Sequence, residues 1–505
     1  MLVCACVRYD EIEPMVRACA AGLASRGLRA GDTIGLLSPN SIHYPIALFA
    51  ASSLGASVTT LNPLYTPDEI ATQLTDAKAT QLYVAGPLLE KAYQAVTKGA
   101  NLTRIYSFDD ELPEEKPQKR APPLESFSAL LATTDAPPSV QIDPASTVAL
   151  IPYSSGTSGL PKGVELTHSN VVANVLQCEL EHVHMDTSDT LVGVLPFYHI
   201  YGFTVILNIA LCSGATVVTM PSFDPALFLK VLKQHSVTVA HVAPPLVGFL
   251  AKHPAVDSVL PLPKLKELFS GAAPLGRELE EAVRARLGCF VRQGYGMTEA
   301  APATHIVPYD VAHANTANGA VGTLVPGMEC KLVSTETGEA CGVGERGEIC
   351  LKGPNIMKGY LNRPSANAES FDSEGFYRTG DVGYVDEAGL YYVVDRVKEL
   401  IKVKGFQVPP AELEAALLGF DAIADAAVIG LPCEKHGEVP KAFVVRQAGH
   451  EGLSAKEVSG FLVGKLAEYK QIAPENVEFV EAVPKSAAGK ILRKELRALE
   501  AARAA

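Results

Sequence analysis

The chain has 505 residues, 48% of them hydrophobic and 20% charged, and its formal net charge is -13. This length exceeds what one hydrophobic core supports, so we expect two or more folded domains, and the composition excludes a globally disordered chain. The acidic balance argues against general nucleic-acid binding, which needs a basic surface. A phosphate-bearing ligand would therefore have to be bound by local positive charge.

The cysteines and the chain ends predict a cytoplasmic location. The ten cysteines are dispersed without zinc-type spacing, so we expect reduced thiols that serve mainly in packing. Residues 1–8 are too short for the apolar part of a signal peptide, and the longest apolar run, 202–212, is well below the length of a membrane span. The C-terminal residues 501–505 do not form a Ser-Lys-Leu peroxisomal address.

Helical and strand-like apolar spacing alternates along the N-terminal part of the chain. The spacing predicts helices at 11–25, 44–54, 228–235 and 279–287, and strands at 33–37, 56–61, 191–195 and 237–242. Repeated units of one strand and one helix predict parallel sheets that are covered by helices.

Two other stretches lack this alternation. Residues 109–144 are rich in Pro, Glu, Asp and Lys, which predicts a surface connection. Beyond residue 319, short strands separated by Gly turns, as at 347–353 and 389–394, predict a β-rich subdomain.

A small domain is predicted after residue 395. Two helical and two strand-like stretches are typical of an α+β domain, and they lie at 412–418, 456–466, 426–430 and 442–446. The predicted fold class is therefore α/β. A large N-terminal body of βα layers with a β-rich subdomain covers 1–395, and a small α+β C-terminal domain covers 396–505.

Residues 154–163, Ser-Ser-Gly-Thr-Ser-Gly-Leu-Pro-Lys-Gly, directly follow the apolar run 148–153. Glycines allow backbone N–H groups to approach an anion closely, while the hydroxyls and the ammonium of Lys162 supply donors and positive charge. This composition predicts a loop that binds a polyphosphate, and a nucleoside triphosphate is the candidate ligand.

The P-loop is the main alternative for this stretch, but its pattern does not fit. Pro161 stands where that pattern needs Gly, and Gly163 follows Lys162 in place of Ser or Thr. The strand-like run 164–166 predicts a strand-loop-strand hairpin and not a loop that begins a helix. An ordinary surface loop is the other alternative for these ten residues taken alone.

Three further clusters combine polar side chains with glycines. They are Gln-Gly-Tyr-Gly-Met-Thr-Glu at 293–299, Tyr-Arg-Thr-Gly-Asp at 377–381, and a basic stretch at 395–405. Each is weak alone, because Gly-Tyr-Gly is ordinarily a tight turn and a charged stretch is most often solvated.

Together and in this order, the motifs resemble those of the adenylate-forming enzymes, which comprise acyl-CoA synthetases, beetle luciferases and peptide-synthetase adenylation domains. They are most similar to the plant 4-coumarate-CoA ligase type. The segments that carry this similarity are 195–202 (Leu-Pro-Phe-Tyr-His-Ile-Tyr-Gly), 270–276 (Ser-Gly-Ala-Ala-Pro-Leu-Gly), 398–408 and 484–494. The resemblance covers essentially the whole chain.

The resemblance implies a two-step ligase whose substrates are ATP, CoA and a small carboxylic acid. The enzyme transfers AMP from ATP to the carboxylate with release of pyrophosphate, and a thiol then attacks the acyl-adenylate. The resemblance implies that the β- and γ-phosphates are held by Ser154, Ser155, Gly156, Thr157, Ser158 and Lys162, and that Mg²⁺ is held by Thr157 and Glu299. It further implies nucleotide-binding roles for Gln293, Gly294, Tyr295, Thr298, Asp381, Arg396 and Lys398.

The C-terminal motifs imply that one small domain serves both steps by rotating about a hinge at Asp395. In the first pose, Lys490 stabilises the charge that develops between the carboxylate and the α-phosphate. The alternative for Lys490 is an ordinary surface lysine. In the second pose, Lys402 and Gln407 contact the adenylate, and Lys404 and Gly405, with Gln407 nearby, bind CoA.

The acyl group is expected to lie near His199, whose alternative role is structural packing. The other acyl-binding residues implied by the resemblance are Tyr201, Gly202, Ala272, Gly296, Pro302 and Ala303. Phe269 replaces a lysine common in the coumarate ligases, Ala303 is smaller than the usual valine, and Ser222 replaces a basic residue associated with CoA. A hydroxycinnamate-like acid and a medium-to-long fatty acid therefore both remain possible substrates.

Other function classes are weaker. A luciferase-type monooxygenase would use the same adenylation site, and a peptide-synthetase module would need a carrier domain after residue 490. A binding protein without activity is disfavoured because the expected polar residues are present. We expect a monomer or weak oligomer that acts on small molecules, without nucleic acid and without a membrane span.

Overall fold

The computed structural model describes residues 5–112, 121–154, 161–182, 185–314, 317, 319–404, 406–433, 436–486 and 489–504. Its strands are β1 Thr33–Leu37, β2 Ser57–Leu61, β3 Ala79–Val84, β4 Arg104–Ser107, β5 Leu124–Ser126, β6 Val148–Leu150, β7 Tyr153–Ser154, β8 Lys162–Thr167, β9 Thr190–Gly193, β10 Thr216–Thr219, β11 Val239–Val242, β12 Glu267–Ser270, β13 Phe290–Gly296, β14 Ala303–Ile306, β15 Thr323–Leu324, β16 Glu329–Val333, β17 Gly347–Lys352, β18 Gly359–Tyr360, β19 Tyr377–Val385, β20 Tyr391–Arg396, β21 Ile401–Val403, β22 Phe406–Val408, β23 Ile423–Cys433, β24 Gly437–Arg446 and β25 Val477–Phe479.

The α-helices are α1 Tyr9–Ser25, α2 Tyr44–Ser53, α3 Pro67–Asp76, α4 Leu89–Thr97, α5 Phe127–Leu131, α6 His168–His182, α7 Ile209–Ser213, α8 Pro225–Gln234, α9 Pro244–Lys252, α10 Arg277–Leu287, α11 Tyr309–His313, α12 Pro364–Ser370, α13 Pro410–Leu418, α14 Ala455–Leu462 and α15 Arg493–Ala504. A π-helical segment covers Gly202–Asn208, and a 3₁₀ turn covers Thr298–Ala300. This order of elements confirms the predicted α/β fold class.

The chain forms two compact units. The first comprises Met1–His241, Gly296–Ala303 and Gly353–Phe371, and the second comprises Val242–Tyr295, Thr304–Lys352 and Asp372–Ala505. The division predicted at residue 395 falls inside the second unit, and it remains a prediction about which part of the chain moves as a body.

The first unit is built on a nine-stranded sheet. Its order is β18-β8-β6-β2-β1-β3-β4-β5, with β7 paired to β8. The pairs from β6 through β5 along this order are parallel, whereas β8 is antiparallel to β6 and to β18. Every residue of β1 and β2 is buried, as expected for strands with both faces covered. Strands β10, β9 and β11 add a second parallel group.

Helix α3 shows how local sequence fixes an element of this unit. Thr66 and Glu69 form reciprocal side-chain to backbone hydrogen bonds at its start, and Pro67 is its first residue. Its buried residues Ile70 and Leu74 pack into the cluster beside the sheet. The apolar face of the helix is thereby removed from water.

The second unit combines three groups of strands. Strands β12, β13, β14 and β15 lie side by side, β16-β17-β19-β20 form an antiparallel sheet, and β22-β21-β24-β23 form a third sheet with β25 beside β24. Helices α13 and α14 cover one face of this last sheet, where Leu413, Leu417 and Val458 are buried. The β-rich subdomain predicted beyond residue 319 and the mixture of helices and strands predicted after residue 395 are both confirmed.

The strand-loop-strand prediction for the Ser/Gly-rich stretch is confirmed at its two ends. Strands β7 and β8 are antiparallel, with Tyr153 opposite Gly163 and Ser154 opposite Lys162. A P-loop would lead from a strand into a helix. Here the residues after the loop form β8 instead.

The prediction of a mere surface connection at 109–144 is wrong in part. Strand β5 pairs with β4, and α5 follows with Phe127 and Leu130 buried. Ser126 caps α5 by accepting a hydrogen bond from the N–H of Ala129. The short apolar run was obscured by the polar and Pro-rich residues around it. Of the described helices, none is long and apolar enough to cross a membrane.

His305 is a fully buried histidine of β14. Its ring lies 4.5 Å from that of Tyr391 and 5.7 Å from that of Tyr295, and Nδ1 is 3.0 Å from the hydroxyl of Thr304. Within the described residues, the buried Nε2 has no hydrogen-bond partner. Burial lowers the pKa of His305 from 6.5 to about 3, so the folded protein holds this ring neutral.

We expect His305→Phe to reduce the acid sensitivity of folding. As the pH falls below about 6.5, the unfolded chain binds a proton that folded His305 does not, which removes about 1.4 kcal/mol of stability per pH unit until the folded pKa is reached. Urea unfolding at about pH 7 and about pH 5 should show wild type losing about 2 kcal/mol more than the variant. His235→Phe is the control, because His235 is exposed. Equal losses in wild type and His305→Phe would contradict this.

Candidate functional site

Ser154 and Lys162 face each other across the β7–β8 pair, at the base of the Ser/Gly-rich loop. Ser155, Gly156, Thr157 and Ser158 lie outside the described residues. Within the described part of the chain, the buried hydroxyl oxygen of Ser154 has no hydrogen-bond partner. A polar ligand in the loop could supply the missing partner for this hydroxyl.

Tyr360 joins two of the predicted site residues in the first unit. The ammonium of Lys162 lies 4.7 Å from the centre of the Tyr360 ring, and the Tyr360 hydroxyl donates a 2.8 Å hydrogen bond to Glu299. Tyr360 belongs to β18 and pairs with Val164 of β8. Glu299 is 8% exposed. A cation and a carboxylate are thereby held on one tyrosine, whose role no sequence pattern indicates.

The loop that follows β13 is fixed by two buried asparagines. Asn174 of α6 bonds both the N–H and the C=O of Ala303, and Asn355 donates to the C=O of Ala300 and of Ala303. A Cβ at Gly296 would lie 2.2 Å from the carbonyl oxygen of Pro302, so only glycine fits there. These contacts bring Gly296, Thr298, Glu299, Pro302 and Ala303 together. Asn174 and Asn355 carry no sequence motif that would reveal this role.

The predicted acyl-binding residues of the first unit border the same loop. Tyr201 N–H donates a 3.2 Å hydrogen bond to Nδ1 of His199, which requires the proton of a neutral ring to lie on Nε2. Gly202 begins the π-helical segment, and a Cβ there would lie 2.2 Å from the carbonyl oxygen of Pro196. Thr204 of this segment donates to the C=O of Ala301. The π-helical segment and the 296–303 loop are therefore directly bonded.

In the second unit, a hydroxyl group and a guanidinium group contact the carboxylate of Asp381. The Tyr295 hydroxyl donates a 2.5 Å hydrogen bond to Oδ2 of Asp381, and Nε of Arg396 lies 3.2 Å from Oδ1. Asp381 and Arg396 are opposite each other on β19 and β20. Burial, followed by the negative charge of Asp381, raises the pKa of Tyr295 well above its usual value. The tyrosine therefore remains a hydrogen-bond donor, and Tyr295 and Arg396 together orient the Asp381 carboxylate.

Gln293 and Gly294 occupy opposite faces of β13. The Gln293 amide donates to Glu280 at 2.7 Å and to the C=O of Leu275 at 3.4 Å, which ties β13 to α10. On the other face, a Cβ at Gly294 would lie 2.8 Å from Cζ of Phe269. Glycine is therefore required where the Phe269 ring packs under β13. Ala272, also predicted for the acyl group, lies in an exposed turn with a φ of 73°.

A buried ion pair lies beside the ring of Phe269. The guanidinium of Arg292 lies 5.4 Å from the Phe269 ring centre and 2.9 Å from the carboxylate of Glu267. Arg292 is 2% exposed. The Phe269 ring thus packs between β13 and a guanidinium that is paired with a carboxylate.

Lys490 lies in a short loop whose shape depends on Gly489. Ser486 N–H donates to the C=O of Lys490 at 2.8 Å, and the N–H of Lys490 donates to the Ser486 hydroxyl. Gly489 has a φ of 81°, and a Cβ there would lie 3.0 Å from Cβ of Ala243 and 3.3 Å from Cδ of Pro245. The loop therefore rests against the turn that leads from β11 into α9.

Arg493 fixes this loop to the rest of the C-terminal segment. Its guanidinium makes two hydrogen bonds of 2.8 and 2.7 Å to Glu414 of α13, and its Nε donates to the C=O of Val428. Asp395 accepts hydrogen bonds from the N–H groups of Ala411 and Arg396. Burial raises the pKa of Asp395, while the charge of Arg493 opposes this. The predicted hinge residue thus caps the first turn of α13.

The predicted CoA-step residues lie on the β21–β22 hairpin. Lys402 pairs with Gln407, and the side chains of Lys402, Lys404 and Lys398 are exposed. Lys404 has a φ of 51°, and its N–H donates to the C=O of His436. Gly405 lies outside the described residues. The hairpin meets β24 at Val403, whereas the Lys490 loop leads into α15, so the two occupy different parts of this segment.

Among the described residues, no group of three His, Cys, Asp or Glu side chains could hold a metal ion alone. Mg²⁺ is commonly bound by one or two carboxylates together with substrate phosphates. The single buried carboxylate of Glu299, with Tyr360 orienting it, fits that kind of shared site.

Family models and known proteins match most of the chain. A model of AMP-binding enzymes matches residues 6–361, and a model of the AMP-binding enzyme C-terminal domain matches residues 412–490. The chain is 43% identical to 4-coumarate–CoA ligase 2 of Oryza sativa subsp. japonica over 98% of this chain and 88% of that protein.

Solved structures of similar shape include ATP-bound MatB from Rhodopseudomonas palustris, with a TM-score of 0.84 and 29% identity over 97% of this chain and 93% of that chain. The anthranilate CoA ligase AuaEII, solved with anthranoyl-AMP, has a TM-score of 0.86 and 25% identity over 98% of this chain and 92% of that chain.

We expect Tyr295→Phe to weaken AMP binding about tenfold, because Asp381 loses a charge-assisted hydrogen bond that fixes its orientation. Isothermal titration with AMP measures this directly. Tyr384→Phe is the matched control, since Tyr384 lies on the same strand as Asp381 and stacks on Tyr392. AMP affinity of Tyr295→Phe within twofold of wild type would show that this hydrogen bond does not support nucleotide binding.

Proposed function

The chain belongs to the family of AMP-binding enzymes, and we propose that it is an ATP-dependent acid–thiol ligase of the 4-coumarate–CoA ligase type. It adenylates a hydroxycinnamate-like acid and then forms the acyl-CoA thioester, releasing AMP and pyrophosphate. The observation that carries this proposal is the 43% identity to the rice ligase, which extends over nearly the full length of both chains. The names of such relatives do not favour the fatty-acid alternative.

The first step activates a carboxylate, whose oxygen is otherwise a poor leaving group. Ser154 and Lys162, with Ser155, Gly156, Thr157 and Ser158, bind the β- and γ-phosphates. Asp381 accepts hydrogen bonds from the ribose hydroxyls, and its contacts with Tyr295 and Arg396 support this role. Gln293, Gly294 and Thr298 lie along the adenine and the α-phosphate, and Lys398 adds positive charge.

Glu299 and Thr157 would hold Mg²⁺ together with the phosphates, and the ion would neutralise part of the phosphate charge. The hydrogen bond from Tyr360 to Glu299 supports this assignment, because it orients a carboxylate that would otherwise be free to rotate. Lys162, on the same tyrosine ring, supplies a second positive charge for the phosphates.

Lys490 stabilises the charge that develops as the carboxylate oxygen attacks the α-phosphate. The buried Arg493–Glu414 pair supports this role, since it holds the loop three residues away in one conformation. For the second step, residues 396–505 rotate about Asp395, and Lys490 leaves the reacting atoms. Lys402 and Gln407 then contact the adenylate, while Lys404 and Gly405 bind CoA.

The acyl group lies against His199, Tyr201, Gly202, Gly296, Pro302 and Ala303, and Ala272 is a further proposed acyl-binding residue. Phe269 stands where the coumarate ligases commonly have a lysine, which favours an uncharged acyl group. Only small molecules are substrates, and we propose a cytoplasmic monomer or weak oligomer.

The function is tested by incubating the purified protein with ATP and CoA and a panel of cinnamates and fatty acids. AMP and acyl-CoA are measured by mass spectrometry. We expect equal amounts of both products with 4-coumarate and related acids, and little product with acids of eight or more saturated carbons. A clear preference for the fatty acids would replace the substrate class, and AMP formation without any thioester would refute the ligase assignment.

Lys490→Ala should lower the rate of acyl-adenylate formation by roughly 10² to 10⁴, equivalent to about 3 to 5 kcal/mol of barrier. The rate is measured in a single turnover without CoA. Lys494→Ala is the matched control, because Lys494 is exposed on α15 close to the same loop. If Lys490→Ala adenylates within threefold of wild type, Lys490 is an ordinary surface lysine.

A further inference from the structure

Within the second unit, described residues of segment 396–505 touch segment 242–288, and three of these contacts lie around α9 and the start of α10. Gly489 packs against Ala243 and Pro245, and the Cα face of Gly276 approaches Ala415 so closely that a Cβ would lie 3.4 Å from the Ala415 Cβ. The third contact is polar and involves Lys252. These contacts determine how the Lys490 loop is held against α9.

Lys252 is the last residue of α9, and its ammonium reaches the end of α13. It donates a 3.0 Å hydrogen bond to the C=O of Leu418, the last residue of α13, and lies 3.5 Å from the C=O of Ile423. The C-terminal carbonyls of a helix lack intrahelical donors and carry the negative end of the helix dipole. The ammonium therefore satisfies acceptors that α13 cannot satisfy itself.

Lys252 is half-buried at this contact. Burial lowers the pKa of Lys252, while the nearby charge of Asp421 acts in the opposite direction. The carbonyl acceptors are neutral, so the ammonium is not locked in a buried ion pair. Such a bond is directional yet breakable, as a contact between moving parts requires.

Helix α9 is contacted near both ends. Gly489 lies at its beginning, at Ala243 and Pro245, and Lys252 binds the C-terminal segment from its last residue. The helix has nine residues, which corresponds to a length of about 13 Å. A single contact would leave the C-terminal segment able to pivot on α9. Two separated contacts fix its orientation and with it the position of Lys490.

We propose that Lys252 is a positioning residue for adenylation, holding residues 396–505 in the orientation in which the Lys490 loop rests on α9. This inference rests on the proposed two-step function. Lys252 acts through Lys490 and does not touch the reacting atoms. The bond to Leu418 must break before the C-terminal segment can rotate for the thioester step.

The test compares Lys252→Met with the matched control Lys233→Met. Lys233 also lies in the last turn of its helix, α8, but its side chain is exposed. We expect Lys252→Met to form acyl-AMP about tenfold more slowly without CoA, while thioester formation from preformed acyl-AMP and CoA stays equal or becomes faster. Lys252→Arg should restore adenylation, and Lys233→Met should behave like wild type. Equal losses in both steps, or no loss of adenylation, would overturn the proposal.

Hydrogen exchange provides a readout that does not depend on activity. Without substrates, Lys252→Met should speed amide exchange in the peptide 484–494, whereas Lys233→Met should leave it unchanged. Unchanged exchange in Lys252→Met would refute the positioning role. If wild type forms no acyl-AMP with any acid while the exchange difference is present, the proposed function fails but the contact at Leu418 stands. If Lys252→Met does not fold, Lys252→Ala, which also removes the donor, is measured in its place with the same expected outcomes.

Discussion

The buried ion pair between Arg493 and Glu414 is the interaction on which the position of Lys490 depends. Glu414 also accepts the N–H of Val428, so one carboxylate joins α13, β23 and the loop that leads into α15. Breaking such a pair by removing one partner typically costs about 3 to 5 kcal/mol, because a charge is left buried. The ion pair therefore ties the end of the Lys490 loop to α13 and β23.

Contacts made by α13 with other parts of the chain therefore also affect the position of Lys490. Lys252 binds the end of α13, and Asp395 caps its beginning, so both act on the helix that carries Glu414. Asp381 is also held by regular elements. The pairing of β19 with β20 places Arg396 opposite Asp381, and Tyr295 of β13 donates a hydrogen bond to the Asp381 carboxylate. In both places, rigid elements hold side chains in position before a ligand binds, which reduces the entropy lost on binding.

The sequence predicted the fold class and most long elements, because apolar periodicity in 11–25, 33–37 and 279–287 reflects packing that each element needs locally. It failed at α5, where a short apolar run lies among polar and Pro-rich residues. The sequence motifs identify the predicted site residues, because their glycines, hydroxyl residues and charged residues are recognisable without a structure. Asn174 and Tyr360 were not found, since their partners lie 129 and 61 residues away and only tertiary folding brings them together. Lys252 likewise has no local pattern that indicates its partner in α13.

In the proposed reaction, the acid is activated as an acyl-adenylate before CoA reacts. Exchange of labelled pyrophosphate into ATP tests it most directly, because exchange requires a reversible adenylation step. We expect exchange that depends on a hydroxycinnamate-like acid and proceeds without CoA. Acyl-CoA formation without any acid-dependent exchange in the absence of CoA would contradict it.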